Sequence, residues 1–210
     1  MNTLEAVIFD WSGVVKDSNT NHHWVVNNIL EKYGAKKISL DELKETWVQP
    51  YMEFYNKFLP TLSLEQQKSD YIEMLHKDNC PKSRGFPEMP ELIKLLKEKG
   101  IYLAILSGDP TQLIEKEIED YGLRNIFDEI NSDVHDKVEI LDKILKSNNF
   151  DPKNVYFIGD TNHEIETGKI VGIKTIATTW GLFTEKRLSQ YNPDFIVRNT
   201  KELKNVLLGD

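Results

Sequence analysis

The sequence has little of what marks secreted or membrane-spanning proteins. Its 210 residues include one cysteine, Cys80, so no disulfide can form within the chain, and we expect a reducing, cytoplasmic setting. No apolar run approaches the roughly 20 residues that a membrane-spanning helix needs. The apolar run at residues 6–9 is too short for the core of a signal peptide and lacks a basic lead.

Positive charge is also scarce. The chain has 26 Lys and Arg against 34 Asp and Glu, which gives a formal net charge of −8. Because nucleic acids and anionic membranes are bound through Lys and Arg, we expect neither partner. An anionic substrate would need a local positive focus, which a metal ion and one lysine can supply. The oligomeric state is left open between monomer and homodimer.

Short apolar runs that end at polar turns alternate with helical patterns along much of the chain. The runs predict buried strands at residues 5–9, 101–106, 127–130, 155–158, 173–177 and 195–197. The weakest of these is 127–130, since two acidic residues interrupt it. Helices are predicted over 90–99, from 109–110 to about 121, and over 137–146. The alternation predicts an α/β fold, with a parallel sheet covered by helices on both faces.

Residues 17–84 interrupt this alternation. The interval has no convincing strand and is rich in aromatic residues, and capping boxes at Ser39 and Ser63 predict the starts of two helices. At about 65 residues, it is much longer than a single crossover connection. We therefore predict a core of residues 1–16 and 85–210 and a helical domain of residues 17–84. A run of ordinary crossover helices is the alternative.

Four short segments place polar groups after predicted strands or at the start of a helix. They are Phe9-Asp10-Trp11-Ser12-Gly13-Val14, Leu106-Ser107-Gly108-Asp109, the lone Lys137, and Gly159-Asp160-Thr161-Asn162-His163-Glu164. Because strand tips converge in an open α/β sheet, residues this far apart in sequence can share one pocket. A nucleophilic carboxylate, two metal-binding acids, a hydroxyl and an ammonium together make a phosphoryl-transfer site.

In this order the segments resemble the four motifs of the haloacid dehalogenase superfamily, which includes many small-molecule phosphatases. The resemblance spans residues 5 to about 181. It implies a Rossmann-like three-layer core with a parallel sheet, and a small all-helical cap domain that closes over the active site. The implied activity is Mg²⁺-dependent hydrolysis of a small phosphorylated metabolite, as in phosphoglycolate phosphatases, through an aspartyl-phosphate intermediate.

The resemblance makes Asp10 the expected nucleophile, whose attack on phosphorus divides one difficult displacement into two easier ones. It implies that Mg²⁺ is bound by the carboxylates of Asp10, Asp160 and Glu164 and by the backbone carbonyl of Ser12. Oxygen-only ligands suit this ion. Without the other segments, the preferred interpretation of Asp10 would be a cap of the turn after a strand. Glu164 could also be an acid that a helix dipole favours.

The other two motifs would bind the phosphoryl group. The resemblance implies that the Ser107 hydroxyl and the Gly108 amide hold phosphoryl oxygens, whereas Asp109 would cap the following helix. Lys137 would neutralise the phosphoryl charge and the nucleophile. The family's usual Lys-Pro pair is absent, so Lys143 is the fallback for this role.

Ser12 departs from the pattern, although we count it among the catalytic residues. Phosphatases of this family carry an acid there, which protonates the leaving group and then activates water, and such help is worth roughly 10²–10⁴-fold. Three alternatives follow: a slow phosphatase with water or a cap residue as the acid, substrates with good leaving groups, or different chemistry. The last includes dehalogenase-like cleavage. A catalytically impaired binding or regulatory protein is a separate alternative.

Asp-Trp-Ser-Gly is also similar to the Asp-Trp-Ala-Gly of phosphonoacetaldehyde hydrolases. Those enzymes need a cap lysine that forms a Schiff base, for which Lys32, Lys44 and Lys57 are candidates here. The resemblance further implies that a residue near His22 faces the pocket, as a substrate contact or a substitute acid. An exposed histidine at a helix end is the alternative for His22.

Overall fold

The structure is a computed structural model that describes residues 4–134 and 136–209. The chain divides into two compact units. The first reaches from the N terminus to Asp17 and resumes at Gly85, and the second is Ser18–Arg84. The first segment of the first unit therefore ends one residue later than predicted, at Asp17 instead of residue 16. Each unit is described by itself below.

The described residues contain eight strands. In chain order they are β1 (Ala6–Phe9), β2 (Lys16–Asp17), β3 (Arg84–Gly85), β4 (Tyr102–Leu106), β5 (Glu129–Asn131), β6 (Val155–Gly159), β7 (Lys174–Thr178) and β8 (Phe195–Val197). Six of them form one sheet in the order β5-β4-β1-β6-β7-β8, and all neighbours pair in parallel. The short strands β2 and β3 form a separate pair.

The described residues also form ten α-helices. The second unit holds α1 (Asn19–Lys32), α2 (Leu40–Thr46), α3 (Tyr51–Phe58) and α4 (Leu64–Leu75). The first unit holds α5 (Met89–Glu98), α6 (Thr111–Asp120), α7 (Lys137–Asn148), α8 (Asn162–Val171), α9 (Glu185–Gln190) and α10 (Thr200–Leu208). Among the helices described, none is long and apolar enough to cross a bilayer.

Strand β1 shows why the first unit has three layers. Its side chains alternate, so that Val7 and Phe9 pack into one hydrophobic cluster while Ala6 and Ile8 pack into another. All four side chains are completely buried. A parallel strand covered on both faces reads as a continuous apolar run, which is the pattern of the sequence. The predicted α/β core is confirmed.

The sheet order brings three polar segments to one edge. Strand β1 lies between β4 and β6, and its parallel neighbours end on the same side. Asp10 directly follows β1, Ser107 follows β4, and Asp160 follows β6. The carboxyl ends of adjacent parallel strands form the usual ligand crevice of an open α/β sheet.

In the second unit, helix starts and the aromatic interior follow the sequence pattern. The Ser39 hydroxyl accepts a hydrogen bond from the amide of Glu42 at the start of α2. The Ser63 hydroxyl accepts one from the amide of Gln66 at the start of α4. Three of the aromatic residues in which this interval is rich are buried in its interior, namely Trp47, Phe54 and Tyr55. The predicted helical character of this interval is confirmed.

Candidate active site

Three carboxylates and one ammonium meet beyond the ends of β1 and β6. The Nζ atom of Lys137, the first residue of α7, lies 2.8 Å from Asp10 Oδ1 and 2.7 Å from Glu164 Oε1. Asp10, Asp160 and Glu164 each offer a carboxylate oxygen, and these oxygens lie within 4.8 Å of one another. All four side chains are buried. The structure thus brings together residues from three of the four motifs.

Asp160 is held by the loop that follows β7. The Leu182 amide donates to Asp160 Oδ2 at 2.6 Å, and the Phe183 amide donates to the Asp160 carbonyl at 3.2 Å. A Cβ atom on Gly181 would lie 2.3 Å from the Cβ of Asp160, so only glycine lets the loop approach this closely. This loop is not among the four predicted segments, although a glycine shortly after a buried strand is a signal for such an approach.

Glu164 is oriented by the first turn of α8. Thr161 caps this helix, since its Oγ1 accepts a hydrogen bond from the His163 amide at 3.2 Å. The same hydroxyl donates to Glu164 Oε2 at 2.7 Å. The other carboxylate oxygen, Oε1, accepts from Lys137. Both oxygens therefore have a fixed direction before any ligand binds.

The cluster carries more negative charge than its one ammonium balances. Burial and the nearby Glu164 together outweigh the effect of Lys137 and raise the pKa of Asp10 to about 7. Burial also raises the pKa of Asp160 well above its usual range, as do Asp10 and Glu164. For Glu164, burial acts in the same direction, but Lys137, His163 and the Thr161 hydroxyl together outweigh it and lower the pKa to about 2. Three acids beside one lysine suit a divalent cation, and an all-oxygen donor set suits Mg²⁺.

Ser107 lies beside this cluster at the end of β4 and is almost completely buried. Its amide donates to the Asn131 carbonyl at 2.9 Å, and its Oγ accepts from the Asp109 amide at 3.1 Å. Within the described part of the chain this hydroxyl donates no hydrogen bond, so its proton is available to a ligand. Gly108 is exposed next to it. That these two residues bind phosphoryl oxygens stays a prediction.

A second polar network contacts the nucleophile loop. Ser12 Oγ donates to Asp109 Oδ2 at 2.6 Å, and Lys16 Nζ donates to the same oxygen at 2.9 Å. Lys16 also lies 3.3 Å from Glu117 Oε2, which accepts from Trp11 Nε1 at 2.7 Å. Burial raises the pKa of the Asp109 carboxyl, but Lys16 and the Ser12 hydroxyl outweigh this effect and lower the pKa below its usual value.

The prediction that Asp109 caps the next helix is wrong. Helix α6 begins at Thr111, Pro110 occupies the N-cap position, and the Thr111 amide donates to Asp133 Oδ2 at 3.1 Å. The Asp109 side chain instead forms an ion pair with the buried ammonium of Lys16. This ion pair is stronger than a hydrogen bond that Asp109 would accept from a neutral amide at the helix start. The signal in the sequence for this ion pair is Lys16, a charged residue that directly follows the apolar residues Val14 and Val15.

Comparison with known proteins agrees with this arrangement. A family model described as haloacid dehalogenase-like hydrolase matches residues 7–178. The chain belongs to this family. It is therefore a hydrolase by family membership, and the four motifs that carry the resemblance all lie within the matched residues.

Relatives match nearly the whole chain at low identity. The phosphoglycolate phosphatase of Haemophilus influenzae is 24% identical and covers 99% of this chain and 100% of its own. The pyrophosphatase PpaX of Halalkalibacterium halodurans is 23% identical over 97% of each chain. A haloacid dehalogenase-like hydrolase from Streptococcus pneumoniae has the same fold, with a TM-score of 0.81 and 20% identity over 97% of this chain and 98% of that chain. The predicted family and fold are confirmed.

Two further candidate residues, Lys143 and His22, are not part of the carboxylate cluster. Lys143, the fallback for the basic motif, is exposed on α7. His22 belongs to the second unit, where its Nδ1 lies 3.0 Å from the Tyr71 hydroxyl and its ring centroid 4.4 Å from that of Trp47. A contact of His22 with substrate stays a prediction.

Of the three lysines considered for a Schiff base, Lys32 is engaged elsewhere. Its Nζ lies 2.9 Å from Asp70 Oδ1 and 3.2 Å from Glu73 Oε2. These hydrogen bonds raise the pKa of Lys32, whereas a Schiff-base lysine needs a pKa that is lowered. The surroundings of Lys32 therefore do not favour that chemistry.

Two glycines with the same backbone conformation test how closely Asp160 is packed. Gly13 has φ +78°, and a Cβ there would lie 2.0 Å from Asp160 Oδ2. Gly100 has φ +77° and nothing within 4 Å. We expect Gly100→Ala to lower the free energy of unfolding by about 1–2 kcal/mol through backbone strain, and Gly13→Ala by about 2–4 kcal/mol, because the clash adds to the strain. Urea unfolding measures both, and equal losses would contradict the packing around Asp160.

Proposed function

We propose that this protein is a Mg²⁺-dependent phosphatase of small phosphorylated metabolites that acts through an aspartyl-phosphate on Asp10. The observation that carries the proposal is the ammonium of Lys137, which is 2.8 Å from Asp10 in a buried cluster of three carboxylates. Membership of the hydrolase family supports it. So do the relatives named phosphoglycolate phosphatase and pyrophosphatase, which both cleave bonds to phosphate.

Mg²⁺ would be held by the carboxylates of Asp10, Asp160 and Glu164 and by the carbonyl of Ser12. A divalent ion would favour the ionised form of Asp10 and Asp160, whose pKa values are raised without it. When bound, the ion would neutralise charge on the phosphoryl oxygens. Asp160 and Glu164 are preorganised for this role, because Leu182 and Thr161 fix their carboxylates.

Asp10 would supply the attacking oxygen. One of its oxygens, Oδ1, accepts a hydrogen bond from Lys137, so the carboxylate is held in one rotamer. Attack forms a bond between a carboxylate oxygen and phosphorus and breaks the bond from phosphorus to the leaving oxygen, which departs with the electron pair. Water then hydrolyses the acyl phosphate and regenerates Asp10.

The phosphoryl oxygens would be bound by groups at the tips of β4 and α7. The Ser107 hydroxyl has a free proton to donate, and the Gly108 amide lies next to it. Lys137 adds a positive charge. Its attraction to the transferred group grows as negative charge builds on that group. Fixed donors of this kind contribute most in a buried site, where solvent does not screen them.

Ser12 narrows the class of leaving groups that suit this site. A serine hydroxyl cannot release a proton near neutral pH as a carboxyl does, so a poor leaving group would depart without help. Leaving groups that are stable as anions need no such proton. Phosphoanhydrides and aryl phosphates are of this kind, and one of the named relatives is a pyrophosphatase. Phosphoanhydride hydrolysis is therefore the second candidate function.

A panel of aryl phosphate, alkyl phosphate and pyrophosphate tests both candidates. We expect phosphate release to require Mg²⁺ and to be fastest with aryl phosphate or pyrophosphate. Ser12→Asp should raise alkyl-ester turnover by roughly 10–100-fold and change aryl-ester turnover little, since only the alkyl ester needs a proton donor. Ser12→Asn, which cannot donate a proton in this way, is the matched control.

Three outcomes would contradict this proposal. Unchanged alkyl-ester turnover in Ser12→Asp would show that the missing acid does not limit the reaction. Release of phosphate from phosphonoacetaldehyde, lost on replacing a lysine of residues 18–84, would assign carbon–phosphorus cleavage instead. Binding of phosphate esters without turnover of any of them would assign a binding protein.

A further inference from the structure

The hydrogen-bond direction of the Ser12 hydroxyl is set by its neighbours. Asp109 Oδ2 receives both the Ser12 hydroxyl at 2.6 Å and the Lys16 ammonium at 2.9 Å. An ammonium has only protons to donate, so the carboxylate oxygen is the acceptor in both bonds. The proton of Ser12 therefore points to Asp109. Toward any other group, Ser12 Oγ can only accept a hydrogen bond.

This arrangement is rigid. The amide of Gly13 donates to the carbonyl of Lys16 at 2.8 Å, and the amide of Lys16 donates to the carbonyl of Trp11 at 3.0 Å, which closes the turn on both sides of Ser12. Lys16 is only 2% exposed, and Trp11 is completely buried. The ammonium that sets the direction of the Ser12 hydroxyl therefore cannot move away into solvent.

The network also lies beside the nucleophile. Ser12 is two residues beyond Asp10, and Asp109 is two residues beyond Ser107, on loops that follow the neighbouring parallel strands β1 and β4. Phe9 pairs with Ile105 in the sheet, so the two loops leave the sheet side by side. Ser12 is half-buried as a residue, whereas Asp10 beside it is buried.

We propose that Asp109 is a positioning residue which holds Ser12 as a hydrogen-bond acceptor for the water that hydrolyses the aspartyl-phosphate. The inference rests on the proposed function, because it concerns the second step of that reaction. A fixed acceptor orients an attacking water but cannot protonate a leaving group. A carboxyl at position 12 would protonate the leaving group and then activate water. The Ser12–Asp109 pair would serve only in the second of these steps.

The hydrolytic step balances without a further reactant. The water oxygen forms a bond to phosphorus while the bond from phosphorus to Asp10 breaks, and its electron pair returns to the carboxylate. Both water protons leave on the product, dihydrogen phosphate. Ser12 orders the water through one of these protons and takes none of them, and Asp109 keeps its charge throughout.

Rapid-quench kinetics with p-nitrophenyl phosphate and Mg²⁺ separate the two steps. Release of p-nitrophenolate in the first turnover measures formation of the phosphoenzyme, and acid-trapped phosphoenzyme measures its breakdown. We expect Asp109→Asn and Ser12→Ala to slow breakdown about tenfold and to change formation less than about threefold, so that phosphoenzyme accumulates. Ser12→Thr keeps the hydroxyl and should restore breakdown.

The double variant distinguishes positioning through Ser12 from a general structural role. If Asp109 acts through Ser12, Asp109→Asn should slow breakdown no further in a Ser12→Ala background. If Asp109→Asn does not fold, Asp109→Glu keeps a charge beside Lys16 but displaces its oxygen, and the same accumulation of phosphoenzyme is expected.

The two proposals fail in different ways. A wild-type protein that forms no phosphoenzyme and releases no phosphate overturns the proposed function. A wild-type protein that turns over while both single variants keep its breakdown rate overturns only the role of Asp109 and Ser12. Slower formation with unchanged breakdown, or additive losses in the double variant, overturns it as well.

Discussion

Asp10→Asn is expected to lower phosphate release by at least roughly 10⁴-fold, the scale seen when a covalent nucleophile is removed from an enzyme. An amide has nearly the same shape as the carboxylate but lacks the anionic oxygen that would attack phosphorus. The measurement is the initial rate with an aryl phosphate at saturating Mg²⁺. Acid quenching should trap phosphate on the wild-type protein and none on the variant.

Folding controls separate this loss from unfolding. Asp10→Asn removes one negative charge from a buried cluster in which three acids face one ammonium, so we expect its melting temperature without Mg²⁺ to be no lower than that of the wild type. Asp142→Asn makes the same change at a partly exposed residue of α7, paired with Lys146, and should leave the rate unchanged. Trapped phosphate on Asp10→Asn would rule out Asp10 as the nucleophile.

Lys137→Met is expected to reduce both stability and activity. Without the ammonium, Asp10 and Glu164 lose the partner that lies 2.8 Å and 2.7 Å away in a buried site. Removing one partner of a buried ion pair costs about 3–5 kcal/mol, which urea unfolding without Mg²⁺ measures. Activity should fall roughly 10²–10³-fold, as it does when a donor to a developing negative charge is removed.

Mg²⁺ should restore part of the stability lost in Lys137→Met. The three carboxylates remain, and without the nearby ammonium they should bind the cation more tightly, so the rise in melting temperature on adding Mg²⁺ should exceed that of the wild type. Lys143→Met, on the same helix but exposed, is the matched control and should behave as the wild type. An equal loss of activity in Lys143→Met would assign the basic role to the fallback residue.

Local patterns predicted most of the secondary structure. Strands β1, β4 and β6 lie within one residue of the apolar runs that predicted them, because a strand buried on both faces must be apolar throughout. Strand β5 was the weakest prediction and forms later than expected, at Glu129–Asn131. It lies at the edge of the sheet with only one neighbour, and none of its three residues is buried, so its sequence carries less of the pattern.

The sequence by itself determined the alternation of strands and helices, the family and the four segments that carry chemistry, because buried strands and tight turns restrict residue type locally. Only the tertiary structure decided how the charged side chains pair. Asp109 has the local pattern of a helix cap, yet it bonds to Lys16, 93 residues earlier in the chain. A buried ammonium requires a carboxylate wherever the fold supplies one, and that need is not visible in the residues around Asp109.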